Sequence, residues 1–347
     1  MGRQDLRFRP RNEERLGTLI LRLATQACGT RFELVLAGAE SDTPAPGSSP
    51  GRRVSPQERF LRAAGEEALE VIKTVDHELS LFRRDSLLSR INRCAFEAPV
   101  RVGADTFELL AEALEVWRAT SGAFDPALAP HMRAAGLQDN SVLQDQQPCS
   151  NAPSASSIHL DAEGQSVRFI DPGVALDLGA IAKGHALDLA AECLREAGVD
   201  CALLHGGTSA VIALGMPPDT RGWPIALESK SGPMVHLCDR ALALSSAAGK
   251  VSRNGLGHIL DPRTGRGVPT DRAALVLASS ARSADAWATA LVACPTLFAD
   301  SPWPAGHEVA IAQGMSNARQ WQFSHPPGDD SPIKIRHDRD RASVPCT

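Results

Sequence analysis

An α+β fold of mixed or antiparallel sheets with packed helices is predicted by three observations on this chain. Helical periodicity dominates its first part, strand signals dominate after residue 157, and no repeat of fixed period links them. The hydrophobic share of 43% is enough for a sizeable core in 347 residues. One large domain over 17–324 is expected, flanked by a flexible segment at 1–16 and a disordered tail at 325–347.

Residues 1–16 are polar and rich in arginine. Arg31 to Ala37 (RFELVLA) reads as a strand. Ser41 to Gln57 is rich in Pro, Ser and Gly and reads as an irregular insertion. From Glu58 to Leu81 the apolar residues Phe60, Leu61, Ala64, Ala68, Val71, Ile72 and Val75 recur at three- and four-residue steps, which predicts an amphipathic helix. Asp105 to Thr120 repeats that pattern with Phe107, Leu110, Ala111, Leu114 and Trp117. Ser86 to Asn92 and Phe124-Asp-Pro126 read as loops. A second irregular insertion covers 137–157.

Strands are then predicted at Ser166–Ile170, Val174–Leu178, Cys201–His205, Ala210–Leu214 and Ile225–Glu228. Between the second and third of these, Ala186, Ala190, Cys193, Leu194 and Ala197 mark one helix face, and Gly198 suits its C-terminal cap. A strand at Ala273–Ala278, a helix at about Ser283–Cys294, and short strands at Glu308–Ala312 and Gln320–Phe323 follow. The tail from His325 is charged and rich in proline.

Composition narrows the function. A net charge of -5 without a long Lys/Arg run argues against a general nucleic-acid binder. The absence of Tyr leaves few platforms for base stacking. The eight cysteines are scattered singly, with no CxxC, so neither a zinc framework nor a secreted disulfide scaffold is indicated. No segment approaches a membrane span, and the first residues lack the apolar run of a signal peptide. A cytoplasmic protein is expected.

Four places carry possible chemistry. Lys183 sits in Gly179-Ala-Ile-Ala-Lys-Gly184 at a strand-to-helix junction, where glycines and unpaired helix N–H groups suit an anion. The same residues also suit a plain turn with an exposed lysine, and the P-loop spacing is absent. Gly206-Gly207, with Thr208 after it, suits either a ligand or a hairpin turn. Asp285 and Thr289 stand four apart on one helix face, a hard-oxygen pair suited to Mg²⁺, or an ordinary helix start with Ser283 as N-cap. His258 precedes the turn Asp261-Pro-Arg-Thr-Gly265 and is either a base, a ligand contact or structural.

Taken in order, these segments resemble the ApbE family of flavin transferases. The resemblance runs from about Cys28 to Leu291. It rests on Cys28-Gly-Thr30, Ser80-Leu-Phe-Arg83 with Asp85-Ser86 and Asn92, Gly122-Ala-Phe-Asp-Pro126, Asp177 to Gly184 with Asp188, Gly206-Gly207, Trp223, Ser245-Ser246, His258 to Gly265, and Ala284 to Thr289. It implies an α+β flavin-transferase fold and Mg²⁺-dependent movement of FMN from FAD to a Thr or Ser hydroxyl of an acceptor protein, with release of AMP.

By matching motif, Asp285, Thr289 and the Ala180 carbonyl would hold Mg²⁺. Lys183 and His258 would be catalytic and would contact FAD. Cys28, Phe82, Phe124, Asp125, Asp188, Gly206, Gly207 and Thr208 would bind the dinucleotide. Three positions depart from the family pattern. Thr208 replaces an Asp, Phe82 a Tyr, and Cys28 a Met. Two other readings use the same residues: an FAD pyrophosphatase yielding FMN and AMP, and an FAD-binding protein without turnover.

Overall fold

The computed structural model describes residues 7–8, 18–39, 54–137, 154–227, 234–248, 259–300, 303–313, 320–324 and 333–334. The first elements are β1 (Arg7–Phe8), β2 (Thr18–Ala27), β3 (Thr30–Ala39), α1 (Pro56–Leu79) and α2 (Leu87–Cys94). Then come β4 (Val100–Arg101), α3 (Ala104–Ala119), α4 (Ala129–Ala134), β5 (Ile158–Asp161), β6 (Ser166–Phe169) and α5 (Ala182–Glu196). The middle strands are β7 (Ala202–Gly206), β8 (Ala210–Leu214), β9 (Trp223–Ala226), β10 (Met234–Leu237) and β11 (Ala241–Ser246). The chain closes with β12 (Leu260–Asp261), β13 (Arg266–Gly267), β14 (Ala273–Ala278), α6 (Ala281–Ala293), α7 (Leu297–Asp300), β15 (Glu308–Gln313), β16 (Gln320–Phe323) and β17 (Ile333–Lys334).

Eight of these strands form one antiparallel sheet in the order β16-β15-β14-β11-β8-β7-β3-β2. Side chains alternate across a strand, so each strand serves two cores. On one face Leu34, Leu36, Leu204, Ile212, Ala243 and Val276 join the apolar sides of α1, α5 and α6. On the other, Val35, Leu203, Val211, Leu242 and Leu275 pack on Trp223, Ile225, Val235 and Leu237 of a smaller sheet, β1-β9-β10-β17. This double duty makes β7, β8, β11 and β14 almost wholly buried, which explains why they read as continuous apolar runs.

The α+β prediction therefore holds. The long helix is present, and it starts at Pro56 because Ser55 Oγ accepts from Glu58 N at 3.0 Å. Leu61, Ala64, Ala68, Ile72 and Val75 are buried on it as expected, while Phe60 is half exposed. The rest of the two predicted insertions, 41–53 and 138–153, lies outside the described residues. So does most of both terminal segments. Two pieces of those segments are nevertheless strand: Arg7–Phe8 pairs with β9 and Ile333–Lys334 with β10.

Two expectations are corrected. Val174–Leu178 alternates correctly but is not a strand. Its backbone is satisfied by a side chain and a loop: Leu176 exchanges hydrogen bonds with the Asn92 amide at 2.7 and 3.0 Å, and Asp177 N donates to Pro126 O at 2.7 Å. Val174, Ala175, Leu176 and Leu178 are all buried, so the alternation of large side chains marks neither a half-buried face nor a strand partner. Conversely, Ser86–Asn92 is not a loop. Ser86 caps α2, its Oγ accepting from Ser89 N at 3.0 Å.

Register brings several loops to one end of the large sheet. Phe32 pairs with Gly206, Gly206 and Ala243 each pair with Ala210, and Ser246 pairs with Ala273. The β2–β3 turn, the β7–β8 turn, the end of β11 and the start of β14 thus lie together. Among the described residues no helix is long and apolar enough to cross a membrane.

Candidate active site

The helices α5 and α6 supply the polar centre at this end of the sheet. They approach closely because Gly184 has no side chain: a Cβ there would overlap the Ala281 carbonyl and the Arg282 backbone. One turn further along α5, Asp188 fixes the start of α6. Its Oδ1 accepts from Ala281 N at 2.7 Å, and its Oδ2 accepts from Arg282 N at 2.9 Å and from Ser280 Oγ at 3.0 Å. A carboxylate on these N–H groups is stabilised by the helix dipole. In this structure the Asp188 oxygens hold the start of α6. The N-cap is Ser280 and not the expected Ser283, and its Oγ accepts from Ser283 N at 3.1 Å.

Asp285 consequently falls in the second turn of α6 and is only 2% exposed. Its Oδ2 forms an ion pair with Lys183 Nζ at 3.3 Å. Burial pushes the Asp285 carboxyl up, and the Lys183 ammonium pulls it back. Lys183 also donates to Gly179 O at 3.1 Å, across the turn that contains Ala180. Thr289 lies one helical turn from Asp285, its Oγ1 donating to the Asp285 carbonyl at 3.0 Å and lying 3.3 Å from Ser245 Oγ. The end of β11 is thereby joined to the pair read from α6.

The donor set fits a hard cation in part. One buried carboxylate and a neighbouring hydroxyl are oxygen ligands of the type Mg²⁺ takes. The described residues offer no cluster of three His, Cys, Asp or Glu side chains, so most of the coordination must come from elsewhere. A phosphate ligand and water supply it in sites of this kind.

Cys28 borders the same centre and feels the charges of both Lys183 and Asp285. Burial first, and Asp76 second, push its thiol up to about 12, so it is a neutral contact and not a nucleophile. Its backbone N–H donates to Asp76 Oδ1 at 2.7 Å. Asp76, on the last turn of α1, is a site-border residue that the sequence reading missed; its only signal was a carboxylate on the polar face of that helix. Gly207 sits at the β7–β8 turn with φ +63°, packed against Thr30, and Thr208 is exposed beside it.

The remaining candidates are placed differently. Phe82 is 66% exposed in the loop after α1. Phe124 is buried in the core. Asp125 accepts from Ala127 N at 2.7 Å and Ala155 N at 3.2 Å, and burial pushes its carboxyl up to about 6. It lines a cleft of about 420 Å³ with Trp117, Gly122, Pro262 and Arg263. That cleft brings the Phe-Asp-Pro loop and the Asp-Pro-Arg turn together. His258 lies outside the described residues. The chain resumes at Ile259, which is buried.

His185, next to Gly184, is buried without a partner on Nδ1. Burial, then Arg282, lower it from 6.5 to about 4. The folded ring is neutral where the unfolded ring binds a proton. Stability is therefore full above pH 6.5 and falls as pH drops toward 4, by about 3 kcal/mol. In His185→Phe this part of the pH dependence should vanish, which denaturant midpoints measured across that window will show.

A model of the ApbE family matches residues 29–297. The FAD:protein FMN transferase of Vibrio cholerae is 28% identical over 236 residues, covering 64% of this chain and 70% of that protein. The protein of that name from Treponema pallidum is 30% identical over 257 residues, covering 66% and 71%. Among solved structures, the ApbE protein of Thermotoga maritima superposes with a TM-score of 0.70 at 23% identity, and flavin transferase ApbE of Vibrio cholerae with 0.68 at 20%. Each superposition covers 88% of this chain and 97% of the other, which establishes a shared fold.

Proposed function

The chain belongs to the ApbE family, and from that premise we propose that it moves FMN from FAD to a Thr or Ser hydroxyl of an acceptor protein, in a Mg²⁺-dependent reaction that releases AMP. The single observation that carries this reading is Asp285. Its buried carboxylate is paired with Lys183 at 3.3 Å and lies one turn from the Thr289 hydroxyl. A carboxylate is not kept in such a place for stability alone, since burial penalises its charge.

In the proposed reaction the acceptor oxygen attacks the phosphorus on the FMN side of the FAD pyrophosphate. A phosphoester bond forms, the bond to the bridging oxygen breaks, and AMP leaves with that oxygen. Asp285, Thr289 and the Ala180 carbonyl are proposed to hold Mg²⁺, which when bound supplies charge neutralisation at the pyrophosphate. Lys183 holds a cation beside the same place, and Gly179 fixes its ammonium. His258 is proposed to take the proton of the attacking hydroxyl, as an imidazole titrating near neutrality can. The turns at Cys28-Gly29 and Gly206–Thr208 are proposed to border the flavin nucleotide, with Phe82 at the rim.

Product analysis tests this directly. With FAD, Mg²⁺ and an acceptor, AMP should appear in step with covalent flavin on the acceptor. His258→Ala should lower AMP release by about a hundredfold or more. AMP release equal to that of His258→Ala contradicts the proposal, and free FMN in place of covalent flavin identifies a pyrophosphatase.

A further inference from the structure

The geometry points to His205 as a positioning residue for the reaction: it locks the β7–β8 turn on which the flavin nucleotide is proposed to rest. This rests on the functional reading above. His205 is the last residue but one of β7 and faces away from the helices, on the side of the sheet where Glu33 and Arg31 stand. Its Nε2 lies 3.2 Å from Glu33 Oε2, and its Nδ1 lies 3.2 Å from the Gly207 carbonyl. Both neighbours are acceptors and a neutral ring carries one N–H, so the Nδ1–H tautomer is the one that holds the Gly207 carbonyl. Glu33 is itself paired with Arg31, and the Arg31 carbonyl accepts the Gly207 N–H at 2.8 Å.

These contacts close a ring around one residue. Arg31 holds the Gly207 N–H through its backbone. Its side chain pairs with Glu33, which stands beside the His205 ring, and that ring holds the Gly207 carbonyl. A turn with two adjacent glycines has much backbone freedom to lose, and Gly207 adopts a left-handed conformation. Fixing both polar groups of Gly207 removes most of that freedom before a ligand arrives. The turn is coupled to the site on its far side: Leu244 N donates to Ser209 O at 2.8 Å, and the next residue, Ser245, lies 3.3 Å from Thr289 Oγ1. Where Thr208 brings no charge of its own to the turn, the clamp supplies order instead. The position of Gly207 relative to Thr289 is then set by His205, which touches neither the reacting atoms nor the metal pair.

Two conservative variants separate the two ring contacts. Asparagine places an amide nitrogen at the reach of Nδ1, and glutamine at the reach of Nε2. His205→Asn should keep the Gly207 contact and bind FAD within about threefold of the wild type, whereas His205→Gln and His205→Phe should bind about tenfold more weakly. Flavin fluorescence with the full-length protein and Mg²⁺ reads the affinity. Amide hydrogen exchange over 206–209, without FAD, should quicken in the Gln and Phe variants and not in the Asn variant. The Gln variant carries the test if the Phe variant does not fold. FAD affinity and exchange equal to the wild type in His205→Gln overturn the inference, as does equal weakening in the Asn and Gln variants. A wild-type protein that binds no FAD overturns the functional reading itself, and the positioning role with it.

Discussion

Gly184→Ala should cost about 3 kcal/mol or more of stability, or fold with α5 and α6 forced apart. On helix propensity alone the sign would be opposite, since alanine gains about 1 kcal/mol over glycine inside a helix. The clash decides. The added methyl would meet the Ala281 carbonyl and the Arg282 backbone, and backbone anchored by Asp188 cannot step aside as a flexible side chain would. Gly103→Ala is the control, because a Cβ there meets nothing within 4 Å. Denaturant midpoints compare the two. If Gly184→Ala folds, Lys183 and Asp285, one residue from this crossing and four from it, should lose their 3.3 Å approach, and activity should fall with it.

Asp285→Ala should lower FMN transfer by about a thousandfold, the scale of a lost metal-ligand carboxylate. The fold should survive, because the change removes a buried charge that burial already disfavours. Lys183, whose side chain is 22% exposed, keeps the Gly179 carbonyl and reaches water. Asp285→Asn keeps the shape and should lose nearly as much, which separates charge from packing. Initial rates of AMP release at several Mg²⁺ concentrations, beside a melting curve, check both halves. Full activity in either variant would remove Asp285 from the site.

The sequence is legible where one local rule governs. The three- and four-residue steps of α1 and the i, i+4 pair Asp285–Thr289 both appear where periodicity puts them. The glycines around Lys183 invite a phosphate reading, but Gly184 also answers to a helix crossing that no local window contains. Val174–Leu178 alternates like a strand in its larger side chains, yet Val174, Ala175, Leu176 and Leu178 are all buried, and its hydrogen bonds go to Asn92, far away in sequence. The intrachain partners of Asp188, the Ala281 and Arg282 amides, lie more than ninety residues ahead, beyond any local rule. The burial of Phe124 is likewise decided by what packs over it. His205, Glu33 and Arg31 carried no motif, and only strand register sets them around Gly207.

The central claim is that this site moves FMN onto a protein hydroxyl. The direct measurement is flavin fluorescence of a candidate acceptor in a denaturing gel, after incubation with FAD, Mg²⁺ and the protein. The account predicts a fluorescent acceptor band that needs all three and that disappears with Asp285→Ala and with a Thr→Ala change at the modified acceptor residue. Release of AMP and free FMN with an unlabelled acceptor would contradict it.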